Sequence, residues 1–418
     1  MEFEQNTSAY ILNLADRCVK CGLCLPQCPT YNLTANENES PRGRIALVQG
    51  WLDGQLSPSK TLRNHLDQCL LCRRCERVCP SKVPYGEIMD EAQSLLNKKS
   101  HFSIKKFITY NSINALLSKN ISGYLFSVLR LLQKTGILFL AQKSQLFKLL
   151  RVERLVNYLP LLEDKFTPKS FYPSTAKQTQ GSVALFTGCI SNQLDPKTVK
   201  ASIHLLNLMG YDVHIPMQQV CCGALSLHQG NKNQLLKFAN INIETFNQKE
   251  NITTVVSLVN GCSSQLQEYS QYENLESFTP EIKDIIEFLS EANWPEEVQF
   301  KTLTKTVALQ IPCSLQNMLR ADDKLISLLK KIPGIKLPPE SIYNRCCGAA
   351  GSYFLRNPKF SDTFQKNALK NLTQLTPNII ISSNIGCALQ LKAGLAKNNT
   401  TIDVIHPVVL LESLLKNK

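Results

Sequence analysis

Sixteen cysteines in 418 residues are the side chains best suited to chemistry, and their spacing sorts them at once. Eight fall in two short runs, Cys18-Val-Lys-Cys21-Gly-Leu-Cys24-Leu-Pro-Gln-Cys28-Pro29 and Cys69-Leu-Leu-Cys72-Arg-Arg-Cys75-Glu-Arg-Val-Cys79-Pro80. Both read C-x2-C-x2-C-x3-C-P. Three thiolates stepped at this interval can wrap three corners of one [4Fe–4S] cubane, whereas structural zinc sites use cysteine pairs separated by a longer loop. The C-P turn carries the fourth thiolate away from the first three. The chemistry to expect is one-electron transfer. Arg73, Arg74 and Arg77 place positive charge beside the second run, where it would tune a reduction potential.

The other eight cysteines belong to an internal repeat. Cys189, Cys221, Cys222 and Cys262 recur as Cys313, Cys346, Cys347 and Cys387, at offsets of 124 for the first and 125 for the rest. Val183-Ala-Leu stands six residues before Cys189, as Val307-Ala-Leu does before Cys313. A near-constant offset across separated motifs marks a duplication. These eight thiols are candidate ligands for a further iron–sulfur cluster or for zinc; the plainer alternative is a vicinal pair that shapes the turn at Cys-Cys-Gly. Gly223 and Gly348 supply a backbone freedom that other residues lack.

The elements that position these residues can be read from pattern. Ser40-Pro41 looks like an N-cap and first turn, with a helix running to about Leu52. Residues 60–68 read as a second helix leading into the second run, and a third follows Pro84 to about Asn97. Each repeat shows a β-branched run, a helix, Cys-Cys-Gly, another helix and a further strand (Thr253–Val259; Asn378–Ser383), the pattern of a parallel α/β sheet. Between them, residues 101–180 lack cysteine and carry Leu, Ile and Phe at helical spacing with Lys and Arg interleaved, as in Tyr124–Leu132 and Gln145–Arg151. Such helices either pack on the rest of the protein or lie on a membrane surface. Residues 165–181 read as a linker. The expected fold is therefore α+β. It comprises an all-α domain over 1–100, a basic helical connector over 101–181, and α/β repeats over 182–300 and 301–418.

The chain resembles a known family. A two-cluster ferredoxin domain followed by a duplicated C…C-C-G…C pattern is similar to the CCG-domain proteins. These include heterodisulfide reductase subunits and the iron–sulfur subunits of glycolate oxidase and anaerobic glycerol-3-phosphate dehydrogenase. The stretches at 18–31, 39–45, 65–86 and 384–387 are nearest to the glycolate oxidase iron–sulfur subunit. The ferredoxin resemblance implies crossed ligation, with Cys18, Cys21, Cys24 and Cys79 on one [4Fe–4S] cluster and Cys28, Cys69, Cys72 and Cys75 on the other. The full family motif ends in C-x-x-C; Val259 and Asn384 stand where the first of those cysteines would be. That departure argues against heterodisulfide-reductase chemistry.

The resemblance also implies partners. Oxidising glycolate to glyoxylate releases two electrons, and a cluster accepts one, so a flavin must stand between them. The sequence carries no dinucleotide fingerprint, and Gly348-Ala-Ala-Gly351 is not one. A separate FAD-containing flavoprotein is expected to oxidise the substrate, with quinone or another acceptor downstream. Lactate, another 2-hydroxy acid or glycerol 3-phosphate could replace glycolate. The net charge of +13 suits an acidic partner or anionic lipid. It would also suit a nucleic-acid scaffold or cluster-bearing sensor, but no nucleic-acid motif accompanies it. His228 and His406 read as surface or core residues. With no long apolar run and no secretory leader, the expected location is cytoplasmic, with peripheral attachment at the inner membrane face.

Overall fold

The computed structural model describes residues 2–98, 119–143, 147, 153–248, 251–272, 275–339 and 346–416. The Gln145–Arg151 pattern lies almost wholly outside these residues. The chain divides into two compact units, one of Met1–Ser103, Gly223–Leu236 and Gly348–Thr363, the other of Ile104–Cys222, Lys237–Cys347 and Phe364–Lys418.

The first unit is helical. Its elements are α1 (Glu2–Ala15), α2 (Pro29–Thr34), α3 (Pro41–Leu52), α4 (Lys60–Asp67), α5 (Arg74–Arg77) and α6 (Tyr85–Lys98). The three helices expected from sequence are α3, α4 and α6. Ser40 caps α3 by accepting a hydrogen bond from the Gly43 amide at 2.9 Å, and Pro41 occupies the first turn. A β-carbon on Gly43 would lie 1.9 Å from the Glu37 carbonyl oxygen, so only glycine lets the chain make this start. Helices α1, α3, α4 and α6 bury Ile11, Ile45, Val48, Leu66, Ile88, Met89 and Leu96 in one core. Cys18, Cys24, Cys69 and Cys79 pack at its edge.

The second unit contains both sheets. Strands β1 (Phe171–Tyr172), β2 (Gly181–Phe186), β3 (Tyr211–His214), β4 (Thr254–Ser257) and β5 (Glu281–Asp284) form a sheet in the order β1-β3-β2-β4-β5. Strands β6 (Val307–Gln310), β7 (Ile379–Ser382) and β8 (Asp403–Ile405) form the other, in that order. The parallel trio β2-β4-β5 matches β6-β7-β8, with Val183 opposite Thr254 and Val307 opposite Ile379. Strands β6 and β7 are buried at every position, as parallel strands covered on both faces should be. The stretch read as a linker contains β1, which pairs antiparallel with β3 through Phe171–His214 and Tyr172–Val213. Two residues are too short a run for period-2 patterning to reveal; the pairing comes from β3.

Candidate metal centres

The two N-terminal runs share a backbone solution. In each, the residues on both sides of the second cysteine are left-handed: Lys20 and Gly22 (φ +55° and +87°) around Cys21, Leu71 and Arg73 (+49° and +50°) around Cys72. Three of these four are not glycine, which costs about 1 kcal/mol or more each. Cys28 stands at the N-cap of α2 and is buried, as is Cys75 within α5.

Cys28, Cys69, Cys72 and Cys75 line one cleft, with Thr30, Arg44, Arg73 and Tyr85, enclosing about 310 Å3 with its mouth included. This donor set suits an iron–sulfur cluster, since four thiols converge with no carboxylate or imidazole among the lining residues. Around Cys69 the chain supplies two donors, the Leu71 amide at 3.4 Å and the Tyr85 hydroxyl at 3.5 Å. Burial pushes the Cys69 thiol up, while the Arg44 charge and the Tyr85 hydroxyl oppose this by favouring thiolate. Burial, with the neighbouring thiols, raises Cys75 well above its ordinary value.

Arg44 is the least expected participant. Its side chain is 1% exposed, yet it donates to the His65 carbonyl (2.8 Å), Thr30 Oγ1 (3.1 Å), the Glu39 carbonyl (2.7 Å) and Glu39 Oε2 (2.5 Å). Glu39 also meets His65 Nδ1 at 2.6 Å and, with the Gln68 amide turned to satisfy both groups, accepts two bonds of 3.0 Å from it. Burial disfavours the charged guanidinium, but its ionisable neighbours Tyr85, Cys69, Cys28 and Glu39 outweigh it, with the Glu39 carboxylate in direct contact, so Arg44 stays charged. Of the arginines noted in the sequence, Arg73 lies 3.6 Å from Asp90.

In the first run, Arg42 clamps the loop by donating to the Lys20 carbonyl at 3.0 Å while holding Glu37 Oε1 at 2.7 Å. Burial raises the Cys24 thiol, an effect the Arg42 backbone N–H opposes and the nearby Cys18 and Cys28 reinforce. Cys21 is exposed; Cys18, Cys24 and Cys79 are half-buried.

Two segments that follow Cys-Cys-Gly belong to this unit. The Tyr353 hydroxyl donates to the Gln68 carbonyl (3.1 Å) and Asn357 Nδ2 to the Asp67 carbonyl (2.9 Å), closing the end of α4 just before Cys69. Asn97 donates to the Gln229 carbonyl, and Lys232 pairs with Glu91. Sequence reading found neither these nor Arg44. An arginine at the head of the apolar run Ile45-Ala-Leu-Val48 was the one available signal. His228 lies here, held neutral by burial and by Arg73 and Arg356, its pKa down to about 4.

The repeat cysteines gather in the second unit, four by four. Cys189 follows β2, Cys221 and Cys222 follow β3, and Cys262 lies in the first turn of the helix Asn260–Gln267. Cys189 hydrogen-bonds Cys221, Cys221 bonds Cys222, and Cys222 Sγ is 3.3 Å from Cys262 Sγ. In the second repeat, Cys347 Sγ is 2.7 Å from Cys387 Sγ, and Cys387 feels Cys313 and Cys346. The thiol hydrogen bonds and burial raise Cys189, Cys222 and Cys387 well above the ordinary thiol range. A bound cation would reverse that balance by stabilising thiolates. Gly223 and Gly348 are left-handed (φ +84° and +82°), as the sequence suggested.

The departures from C-x-x-C have a structural identity. Val259 and Asn384 are the N-caps of Asn260–Gln267 and Ile385–Lys397, and Asn384 accepts from the Gly386 amide at 3.0 Å. The two motif ends meet: Ser383 Oγ donates to Asn260 Oδ1 at 2.8 Å. Asn260 in turn donates to the buried Asp284 carboxylate at 2.8 Å, as Ser263 does at 2.6 Å. His406 is buried as the N-cap of Pro407–Ser413.

Comparison with known proteins agrees with this geometry. Residues 14–83 match the 4Fe-4S dicluster domain, and residues 183–267 and 307–392 each match the cysteine-rich CCG domain. The probable glycolate oxidase iron-sulfur subunit of Bacillus subtilis (strain 168) is 30% identical over 94% of this chain and 92% of its own length. The glycolate oxidase iron-sulfur subunit of Escherichia coli (strain K12) is 28% identical over 97% of both. Lactate utilization protein A of Shouchella clausii is 24% identical over 56% of this chain and 99% of its own length. The crystal structure of a hypothetical protein from Helicobacter pylori shares the fold at a TM-score of 0.52 and 11% identity, covering 92% of this chain and 69% of that one. With a 4Fe-4S dicluster domain at the N-terminal end, the cysteine-rich domain twice after it, and near full-length agreement with these subunits, the chain belongs to the glycolate oxidase iron–sulfur subunit family.

Proposed function

We propose that this chain is the electron-transfer subunit of a glycolate-oxidising complex, taking electrons from the FAD of a partner flavoprotein and delivering them to quinone or another acceptor. The single observation that carries this is the four-thiol cleft of Cys28, Cys69, Cys72 and Cys75, which joins the fourth cysteine of one run to the first three of the other. Cys18, Cys21, Cys24 and Cys79 form the complementary set. When bound, a [4Fe–4S] cluster takes up and gives back one electron at a time. The chain's own residues hold it by thiolates, screen it by burial, and aim the Leu71 amide and Tyr85 hydroxyl at Cys69, donors that favour the reduced state. Oxidising glycolate to glyoxylate releases two protons and two electrons, a pair that a flavin on the partner would accept and pass on singly. The two repeat quartets are candidates for a further cluster or zinc, the alternative being vicinal thiols that shape the turn at Cys-Cys-Gly.

Iron and sulfide per chain in anaerobically purified protein, with EPR after reduction, test the cofactor count at four irons per cluster. About eight irons mean two clusters with zinc or nothing in the repeats, about twelve add a third cluster, and none overturns the reading. A co-purified flavoprotein assayed with dye tests the substrate: glycolate-dependent reduction that survives deletion of this chain in cells sinks the assignment. A second reading, lactate as the electron source, is favoured by the lactate utilization relatives; faster dye reduction with lactate than with glycolate would select it.

A further inference from the structure

We infer that the loop Arg17–Leu23 is the surface on which an acidic face of the partner flavoprotein docks, with Val19 and Leu23 as its apolar contacts and Arg17 and Lys20 as its charged rim. The inference rests on the electron-transfer reading and names where electrons enter. Of the sixteen cysteines, Cys21 alone is exposed. Its neighbours Val19 and Leu23 are 69% and 55% exposed. The fold of a cysteine run does not demand this. In the second run the residue matching Val19 is Leu70, which is buried, as is Leu71 beside it. The first loop is also braced. Arg42 donates to the Lys20 carbonyl at 3.0 Å, and the Leu25 amide donates to the Gly22 carbonyl at 2.9 Å. A β-carbon on Gly22 would lie 3.0 Å from Arg42 Nη1. Two apolar side chains held outward on a braced loop have little backbone freedom left to lose on binding.

Charge and the flavin select the occupant. Residues 17–36 contain no acid. Of the nearest acids along the chain, Asp16 accepts from Gln49 at 2.7 Å and Glu37 is ion-paired with Arg42 at 2.7 Å. Arg17 and Lys20 are exposed, and their side chains make no ion pair among the described residues. A small apolar patch with a cationic rim suits a protein whose facing rim is acidic. Anionic bilayers are recognised by clusters of about four to eight lysines and arginines, and this loop has only Arg17 and Lys20. A protein-bound flavin does not leave its subunit, so that subunit must come to the cluster. Cys21 is the thiol that a docked protein can touch.

The test uses the full-length holoprotein and the FAD-containing protein that co-purifies with it. Surface plasmon resonance reads their association. Bleaching of the visible iron–sulfur absorption, after the flavoprotein is reduced by glycolate or lactate, reads electron transfer. Val19→Ser/Leu23→Ser should weaken association about tenfold and slow the bleaching, with iron per chain and reduction by dithionite unchanged. Arg17→Gln/Lys20→Gln should lower the association rate and flatten its salt dependence, with dissociation little changed. Should one variant lose iron, the other carries the test. Should both, the parent carries it, since its association must weaken as salt rises and an association insensitive to salt overturns the proposal. A parent that binds and is reduced by the flavoprotein, with iron-replete variants that match it, overturns the docking surface and leaves the electron-transfer reading standing. An iron-replete parent that the flavoprotein neither binds nor reduces overturns both.

Discussion

Replacing Arg44 by methionine should cost more than its single position suggests. The substitution keeps an apolar stem of similar length and removes a cation that makes four hydrogen bonds, two of them to Glu39. The carboxylate of Glu39, a residue 3% exposed, would keep only His65 and Gln68. Stripping one partner from a buried ion pair costs about 3–5 kcal/mol, mostly the penalty of the stranded charge. Arg44→Met/Glu39→Gln strands no charge and should recover about half of that or more. The assay is urea denaturation of the holoprotein, followed by loss of the visible iron–sulfur absorption. Arg44→Met also removes positive charge beside Cys28 and Cys69, so the reduction potential of a cluster they hold should become more negative, by less in the double variant. A single variant within about 0.5 kcal/mol of the parent, or a double no more stable than the single, would refute the reasoning.

Acid should unfold the second unit partly through His406. Burial holds its pKa down to about 3, against a usual value near 6.5, so its contribution is complete above that usual value and lost as pH falls toward 3. His406→Asn keeps an N-cap acceptor for the Val408 amide and should move the acid midpoint measured by circular dichroism to lower pH. Asp284 acts in the opposite sense. Burial raises its carboxyl to about 6, so its contribution is complete below pH 4 and lost as pH rises to 6, about 3 kcal/mol in all. Asp284→Asn should flatten that dependence in denaturant titrations at pH 4 and pH 7; an unchanged slope would remove Asp284 as its source. Gly43→Ala should destabilise the first unit and lower its iron content, whereas Gly50→Ala, meeting only the Leu56 side chain at 3.2 Å, should be tolerated.

What could be read in advance depended on distance along the chain. The cysteine runs, the Ser40-Pro41 helix start and the duplication are local or periodic patterns, and a single sequence displays such patterns directly. Arg44 could not be assigned because Thr30, Glu39 and His65 converge on it from three separate segments. Tyr353 and Asn357 meet the end of α4 from nearly 290 residues away. The helix at 119–134 was visible as amphipathic, but which face turned inward depended on Pro160, Leu162, Glu163 and Gln193. Val259 and Asn384 registered only as missing cysteines; their role as helix caps needed the backbone.

The closure of α4 by Tyr353 and Asn357 also has a temporal side. The second cysteine run leaves the ribosome long before the residues that close the end of the helix leading into it. At about 5–20 residues per second, the interval is roughly 15–60 s. For that time the thiols after Gln68 exist while the end of α4 lacks these two hydrogen bonds, an interval in which iron and sulfide can reach them before the helix end is fixed. Stalled nascent chains ending before and after residue 363 would reveal it: iron acquired only by the longer chains would mean that uptake waits for those bonds.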